Sequence, residues 1–305
     1  MKRDIYSKLL QWKSSSRRKP LLLQGARQTG KTFILKEFGR NEYRNTIYCN
    51  FEENSGLDQL FQNDLNPDRI LADLATYMNL EIRPESDLVL FDEIQISNRA
   101  LNSLKYFAEQ QADVHMVAAG SLLGLKMSGP GSFPVGKVNF LHLYPMTFLE
   151  FLTAMKESRY RKLLENAASF VPLTEAFHLH LIDLLRQYYF VGGMPEAVKH
   201  FAVKANGREI REIQQEIIKS YVLDFAKHAP APDIPKLTRI WDAIPMYLAR
   251  ENKKFVFSAL KKGARGREYE NALTWLEDAD LILRANSVST AKHPLRHYTE
   301  TNSFK

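Results

Sequence analysis

The sequence predicts an α/β domain built on a parallel sheet, followed by a mostly helical region. Three observations carry this reading. Over the first 150 residues, short apolar runs alternate with helical patterns. A turn bounded by Gly25 and Gly30 joins the first apolar run directly to the first helix. Past Met155 the strand signal nearly vanishes. Repeated strand, helix, strand order calls for parallel pairing through right-handed crossovers.

In order, Pro20–Gln24, Thr46–Phe51, Leu88–Phe91, Val114–Ala119 and Val138–Leu143 read as strands. Several are apolar on successive residues, as central strands covered on both faces require. Helical patterns lie between them at 31–39, 68–79, 98–111 and 145–156. The stretch 124–137 is the densest in Gly and Pro and reads as a surface loop. Helices then follow at 159–170, 174–190, 194–203, 207–228, 233–250, 254–262 and 266–277, with a last strand at Asp280–Asn286. The pattern shift divides the chain into domains at 1–155 and 156–305.

With 305 residues, each domain is large enough to bury its own core. The proportions of apolar residues (45%) and charged residues (25%) are those of a globular protein, which disfavours disorder and fibrous repeats. No apolar stretch reaches the roughly 18 residues of a membrane span, and the basic N-terminus lacks the apolar core of a signal peptide. The single cysteine, Cys49, excludes an intramolecular disulfide and a cysteine-cluster metal site. A cytoplasmic setting is expected. The net charge of +7 is local: residues 1–20 carry seven Lys/Arg against Asp4, and 253–267 carry six against no acid. Such clusters suit an anionic partner, and equally two solvated surfaces.

Chemistry concentrates in Gly25, Ala26, Arg27, Gln28, Thr29, Gly30, Lys31 and Thr32, which fit G-x-x-x-x-G-K-[ST]. Glycines let the backbone curl so that successive N–H groups face one anion, and the following helix adds its positive end. In this pattern Lys31 reaches the β- and γ-phosphates of a nucleotide and Thr32 offers a hydroxyl to Mg²⁺. Sixty residues after Thr32, the apolar run Leu88–Phe91 ends in Asp92-Glu93. Asp92 suits the Mg²⁺ shell and Glu93 the orientation of an attacking water, beyond the strand ends of an open sheet. A third strand ends at Gly120-Ser121. A buried strand ending in a small polar residue resembles the place where AAA-type ATPases set a polar group against the γ-phosphate or the water. That makes Ser121 a candidate for this contact, and also for capping a following helix. Glu52 and Glu53 stand near the same crevice, as tuning groups or as a solvated loop.

On these residues the chain resembles the prokaryotic AAA+-type predicted ATPases. The matching stretches are GARQTGKT at 25–32, LFDEIQ at 90–95, GSLL at 120–123, LYPMTFLEFL at 143–152, YFVGGMPEA at 189–197 and YVLDFA at 221–226. The resemblance covers almost the whole chain. It implies a P-loop ATPase core, ATP as the nucleotide and hydrolysis as the reaction, with a helical C-terminal region that contains a winged helix. Two departures matter. Gly136-Lys137 stands where the family often has Gly-Arg, and Lys is a poor substitute for a bidentate Arg, so no arginine finger is assigned. Relatives also usually continue beyond a Phe-Lys like Phe304-Lys305, so the chain is expected to be truncated.

The segment at about 253–290 reads as two short helices and a strand, with Ala259, Leu260, Tyr269, Ala272, Leu273 and Leu276 on one apolar face. Lys261, Lys262, Arg265 and Arg267 gather at the turn, an arrangement that resembles a winged helix-turn-helix. DNA contact through phosphates and docking to a protein both remain open. The leading expectation is an ATP-hydrolysing, Mg²⁺-dependent switch or motor, with a homo-oligomer possible. The rival is a nucleotide-regulated DNA-binding protein, and a weaker third reading is a small-molecule kinase.

Overall fold

The computed structural model describes residues 2–120, 136–166, 172–204, 206–252, 254–257, 260–261 and 265–305. It divides into two compact units, Met1–Gln214 and Gln215–Lys305.

The first unit is built on five strands: β1 (Leu21–Gln24), β2 (Asn45–Asn50), β3 (Asp87–Asp92), β4 (His115–Ala119) and β5 (Asn139–His142). They lie in the order β2-β3-β4-β1-β5, and every pair is parallel. Alternation sends neighbouring side chains to opposite faces. Leu22, Val89, Phe91, Met116 and Ala118 join one core with Ile70, Leu74, Leu104 and Phe107. These last four come from α4 (Pro67–Tyr77) and α5 (Asn98–Gln110), which follow the short α3 (Gly56–Gln59). Leu21, Leu23, Leu88, Leu90, Val117 and Ala119 join the other core, with Leu9, Trp12, Ile34 and Phe38. Those come from α1 (Ile5–Lys13) and α2 (Lys31–Glu42). Both faces being covered explains why the strands read as unbroken apolar runs.

α1 carries part of the N-terminal basic cluster, and the helix pattern there is short. Ile5, Leu9 and Trp12 nevertheless bury one face of it. Past β5, the helical pattern expected from 145 begins at Phe148. Thr147 caps α6 (Phe148–Ala154) in a capping box with Glu150. Then come α7 (Ser158–Glu165), α8 (Glu175–Val191) and α9 (Pro195–Lys204), which share apolar clusters with α6 around Met146, Phe151 and Leu152. α10 (Gly207–His228) runs across the division between the units. The strand pattern changes near 155, whereas the first compact unit extends to Gln214, because these helices pack on the segment that follows β5.

In the second unit, α11 (Ile234–Ala249) and α12 (Gly266–Asp278) pack around Phe225. Its ring meets Trp241 and Trp275 edge-on, at centroid distances of 5.6 and 5.5 Å. An antiparallel pair follows, β6 (Asn286–Val288) and β7 (Thr299–Phe304). The strand expected at Asp280–Asn286 therefore starts only at its last residue. Asp280 adopts φ 59°, outside extended geometry, and ladder-type bonds begin where Ala285 exchanges hydrogen bonds with Lys305. Among the described residues of 254–261 there is no α-helix where a short one was expected. The loop expected at 124–137 falls mostly outside the described residues. No described helix is long and apolar enough to cross a membrane.

His115, on β4, is buried against the Tyr43 hydroxyl, 2.5 Å from Nδ1. Burial, then the charges of Arg18 and Lys13, lower its pKa to about 4. The folded chain thus keeps the imidazole neutral, while the unfolded chain takes up a proton below about pH 6.5. This contribution to stability is complete above about pH 6.5 and is lost as the pH falls toward 4, on the order of 3 kcal/mol in all. Urea midpoints compared at pH 7 and pH 4.5 should fall less in His115→Gln than in the parent chain; an equal fall would refute the assignment.

Candidate functional site

All five strands end at one edge of the sheet, because they are parallel. The chain leaves β1 toward β2 and later returns to β5 on the other side of β1, so a crevice opens at the β1 end. Gly25–Gly30 fills it. Gly25 has φ 151°, and a Cβ there would lie 2.3 Å from the Leu143 carbonyl oxygen. Only glycine lets the loop approach the chain beyond β5 so closely. Thr29 is fully buried, its hydroxyl donating to the Ala26 carbonyl at 2.9 Å. Gly30, left-handed at φ 92°, opens α2 with no side-chain cap, leaving the first-turn N–H groups directed out of the helix. Lys31 Nζ reaches back across the turn to the carbonyls of Gly25 and Ala26, both at 2.8 Å. Thr32 lies next to it, half-buried.

The loop is held from behind by Arg3, which is 8% exposed. Its guanidinium donates to the Thr29 carbonyl at 2.9 Å, the Tyr144 carbonyl at 2.6 Å and the Glu150 carboxylate at 3.0 Å. Glu150, 3% exposed, also accepts from the Asp4 and Thr147 backbone N–H groups. All its charge is thus met inside the fold. The Gly192–Pro195 turn forms a neighbouring wall. The Gly193 carbonyl accepts from the Met146 N–H at 2.6 Å, and a Cβ on Gly193 would lie 2.4 Å from the Met146 carbonyl oxygen. Pro195 comes within 3.9 Å of where a Gly30 Cβ would sit. This turn, readable in sequence as a helix stop and restart, therefore also borders the phosphate loop.

Asp92 ends β3 one residue beyond the Phe91–Ala118 pair, next to the strand that flanks β1. It is 3% exposed. One carboxylate oxygen accepts from the Tyr48 hydroxyl at 2.9 Å and the other from the Glu93 N–H at 3.2 Å. Burial, and then this bond to Asp92, raise the pKa of Tyr48 above the ordinary phenol range, so the hydroxyl remains a donor. Lys36 Nζ lies 3.4 Å from the centre of the same ring. Glu93 has φ 51°, and its carboxylate accepts from the Gln95 side-chain amide at 2.5 Å.

The structure brings Gly25–Thr32 and Asp92-Glu93 to the same sheet edge. Ser121 lies outside the described residues, although Gly120 before it is tied to the β1 carbonyl of Leu23. Glu52 and Glu53 are exposed, with their N–H groups turned onto the Asn50 side chain. Cys49 is buried beside Met78, and burial pushes its thiol up to about 12, leaving it protonated at neutral pH. Lys137 pairs with Glu109 at 2.8 Å. No motif points to Arg3 or Tyr48; Gln95 closes the LFDEIQ stretch, but that pattern gives it no role of its own. Glu150 had a usable signal, the Thr-x-x-Glu capping box, but nothing local names its partner.

A family model described as an AAA domain matches residues 17–152. Residues 17–152 thus match an AAA domain, and the match supports an AAA+-type P-loop ATPase family for this part of the chain. A second model, described as a domain of unknown function (DUF8612), matches residues 182–305. No curated protein matches the chain. Among solved structures, the Walker-type ATPase PABY2304 of Pyrococcus abyssi is similar over 100% of this chain and 92% of its own, at 17% identity and TM-score 0.57. That likeness is one of fold. AMPPCP-bound DnaA from Aquifex aeolicus is matched at 15% identity and TM-score 0.40, over 90% of this chain and 85% of its own. The second score is too low to bear on this chain.

The Arg3–Glu150 pair has a measurable consequence for the AAA domain. Arg3→Ala leaves a buried carboxylate unpaired, which should lower unfolding stability by about 3 kcal/mol or more. It should also weaken nucleotide binding, since the Thr29 carbonyl loses its donor. Replacing both partners by Met and Leu should cost less than the single change. Urea unfolding and a nucleotide titration check this; a single variant as stable as the parent would contradict it.

Proposed function

We propose that the AAA domain binds ATP with Mg²⁺ and hydrolyses it, serving as a molecular switch or motor. The observation that carries this is one sheet edge presenting both a cramped glycine loop with Lys31 folded across it and a strand end with Asp92 and Glu93. The loop N–H groups and the start of α2 suit the phosphates. Lys31 would exchange its two carbonyl partners for phosphate oxygens and neutralise their charge. The Thr32 hydroxyl and the Asp92 carboxylate are hard oxygen donors of the kind Mg²⁺ takes, and the buried Asp92 is already oriented by its two hydrogen bonds. They would hold the ion, whose chemistry is to offset charge on the transferring phosphoryl group. Glu93 would orient the attacking water, and Ser121 is the proposed contact to the γ-phosphate. Catalysis of this kind is positioning and electrostatics rather than covalent chemistry. Water as acceptor separates this reading from a small-molecule kinase.

Lys31→Ala should abolish ATP binding. Glu93→Gln should bind ATP normally while lowering turnover by about a hundredfold or more. Equilibrium binding and phosphate release measure the two separately, and undiminished ATP affinity in Lys31→Ala would sink the proposal.

A second reading has support in the second unit. α12 is followed by the β6–β7 hairpin, an order that suits a winged helix. Lys261, Arg265 and Arg267 are exposed before and at the start of α12, while Lys262 lies outside the described residues. Lys292, His293, Arg296 and His297 are exposed between β6 and β7. On this reading the unit holds duplex DNA through phosphate contacts, under nucleotide control. Reversing the charge of Lys261, Lys262, Arg265 and Arg267 should then weaken a gel shift and flatten its salt dependence. No shift at low salt would remove the reading.

A further inference from the structure

The turn after the Asp92-Glu93 pair is pinned at both ends. Ile94 is fully buried in the core of the first unit, and Ser97 is 1% exposed. Ser97 caps α5 through the Ala100 N–H and donates its own hydroxyl to Asp58. A 3₁₀ turn over Ile94–Ile96 spans the gap, closed by the Ile96 N–H on the Glu93 carbonyl at 3.0 Å. Gln95 is thus held between two anchored residues, and its amide reaches back to Glu93. A carboxylate only accepts, so it is the NH₂ of Gln95 that meets it. The remaining amide oxygen, Oε1, is buried without a partner among the described residues. A buried acceptor left unmade is a cost that stability alone would not select. Glu93 itself sits in the left-handed region at φ 51°, a strained conformation for a non-glycine residue and one that clusters at functional sites.

We infer that Gln95 is a positioning residue: its side-chain amide grips the Glu93 carboxylate and sets the direction in which that carboxylate faces the attacking water. The inference rests on the role proposed above for Glu93. Asp92 is aligned by the Tyr48 hydroxyl and by the Glu93 N–H, so the two acids are oriented by different donors. The role of Gln95 is therefore separable from nucleotide binding. Loss of the amide frees the carboxylate to rotate, which slows the chemical step and leaves ATP affinity alone.

Gln95→Leu keeps the bulk and removes the donor. Its kcat should fall about tenfold, with the ATP Kd and the Tm within error of the parent. In a Glu93→Gln background the same change should cost nothing further, because the group it positions is gone. The contact has a readout independent of turnover. The side-chain amide signals of Gln95 in a ¹⁵N spectrum, identified by their loss in Gln95→Leu, should shift in Glu93→Ala. Unchanged kcat in Gln95→Leu, a parallel loss of ATP affinity and Tm, or unmoved amide signals would each overturn the inference. If Glu93→Gln itself retains turnover, the reading of Glu93 falls instead, and the spectrum still reports whether the two side chains touch.

Discussion

The first unit depends on a buried ion pair that has no counterpart in the motif it supports. Arg3 and Glu150 meet where the chain's start, the phosphate loop and the segment after β5 converge. A guanidinium has five donors in a rigid fork, and its bonds here go to the phosphate loop at Thr29 and to the segment after β5 at Tyr144 and Glu150. Burying such a pair is expensive unless every charge is met. Here the carboxylate collects Arg3 and two backbone N–H groups, so the pair acts as a fixed joint for the Gly25–Gly30 backbone.

That joint explains stretches that otherwise look unrelated. Leu143 offers the carbonyl that Gly25 must approach, Tyr144 accepts from Arg3, Met146 is bound by Gly193, and Glu150 caps its own helix while holding Arg3. The LYPMTFLE and GGMP stretches are thus two sides of one support behind and beside the phosphate loop. Rigid backing of this kind is what a site working by preorganised dipoles needs, because any slack is taken from the alignment of its N–H groups.

Charge is used in two different ways. Much of the N-terminal basic cluster is spent on structure: Arg3 in the joint, Lys13 over the Tyr43 ring, and Arg18 on backbone carbonyls near Asp113. Together with burial, Lys13 and Arg18 also keep His115 neutral. Around α12 and the following hairpin, Lys261, Arg265, Arg267, Lys292 and Arg296 are exposed, whereas Arg284 is held by Glu270 and Glu277. A count of charge along the chain does not separate these uses, since both clusters look alike until burial is known.

Periodicity and local chemistry by themselves determined the parallel α/β layer, the glycine loop with Lys31 and Thr32, and the strand ending in Asp92-Glu93. Those signals are contiguous: apolar strands covered on both faces, a turn only glycine can make, and acids at a strand's end. Only the tertiary structure decided that Arg3 lies under Thr29, that Tyr48 aligns Asp92, that Gln95 faces Glu93 and that Gly193 must be small. It also put a strand at Asn286–Val288 instead of 280–286, since its partner β7 reaches back only as far as the Ala285–Lys305 hydrogen bonds. The reason is the same in each case. Motifs record what one stretch of backbone can do, whereas the pairing of a buried side chain depends on which distant stretch the sheet order and helix packing bring beside it.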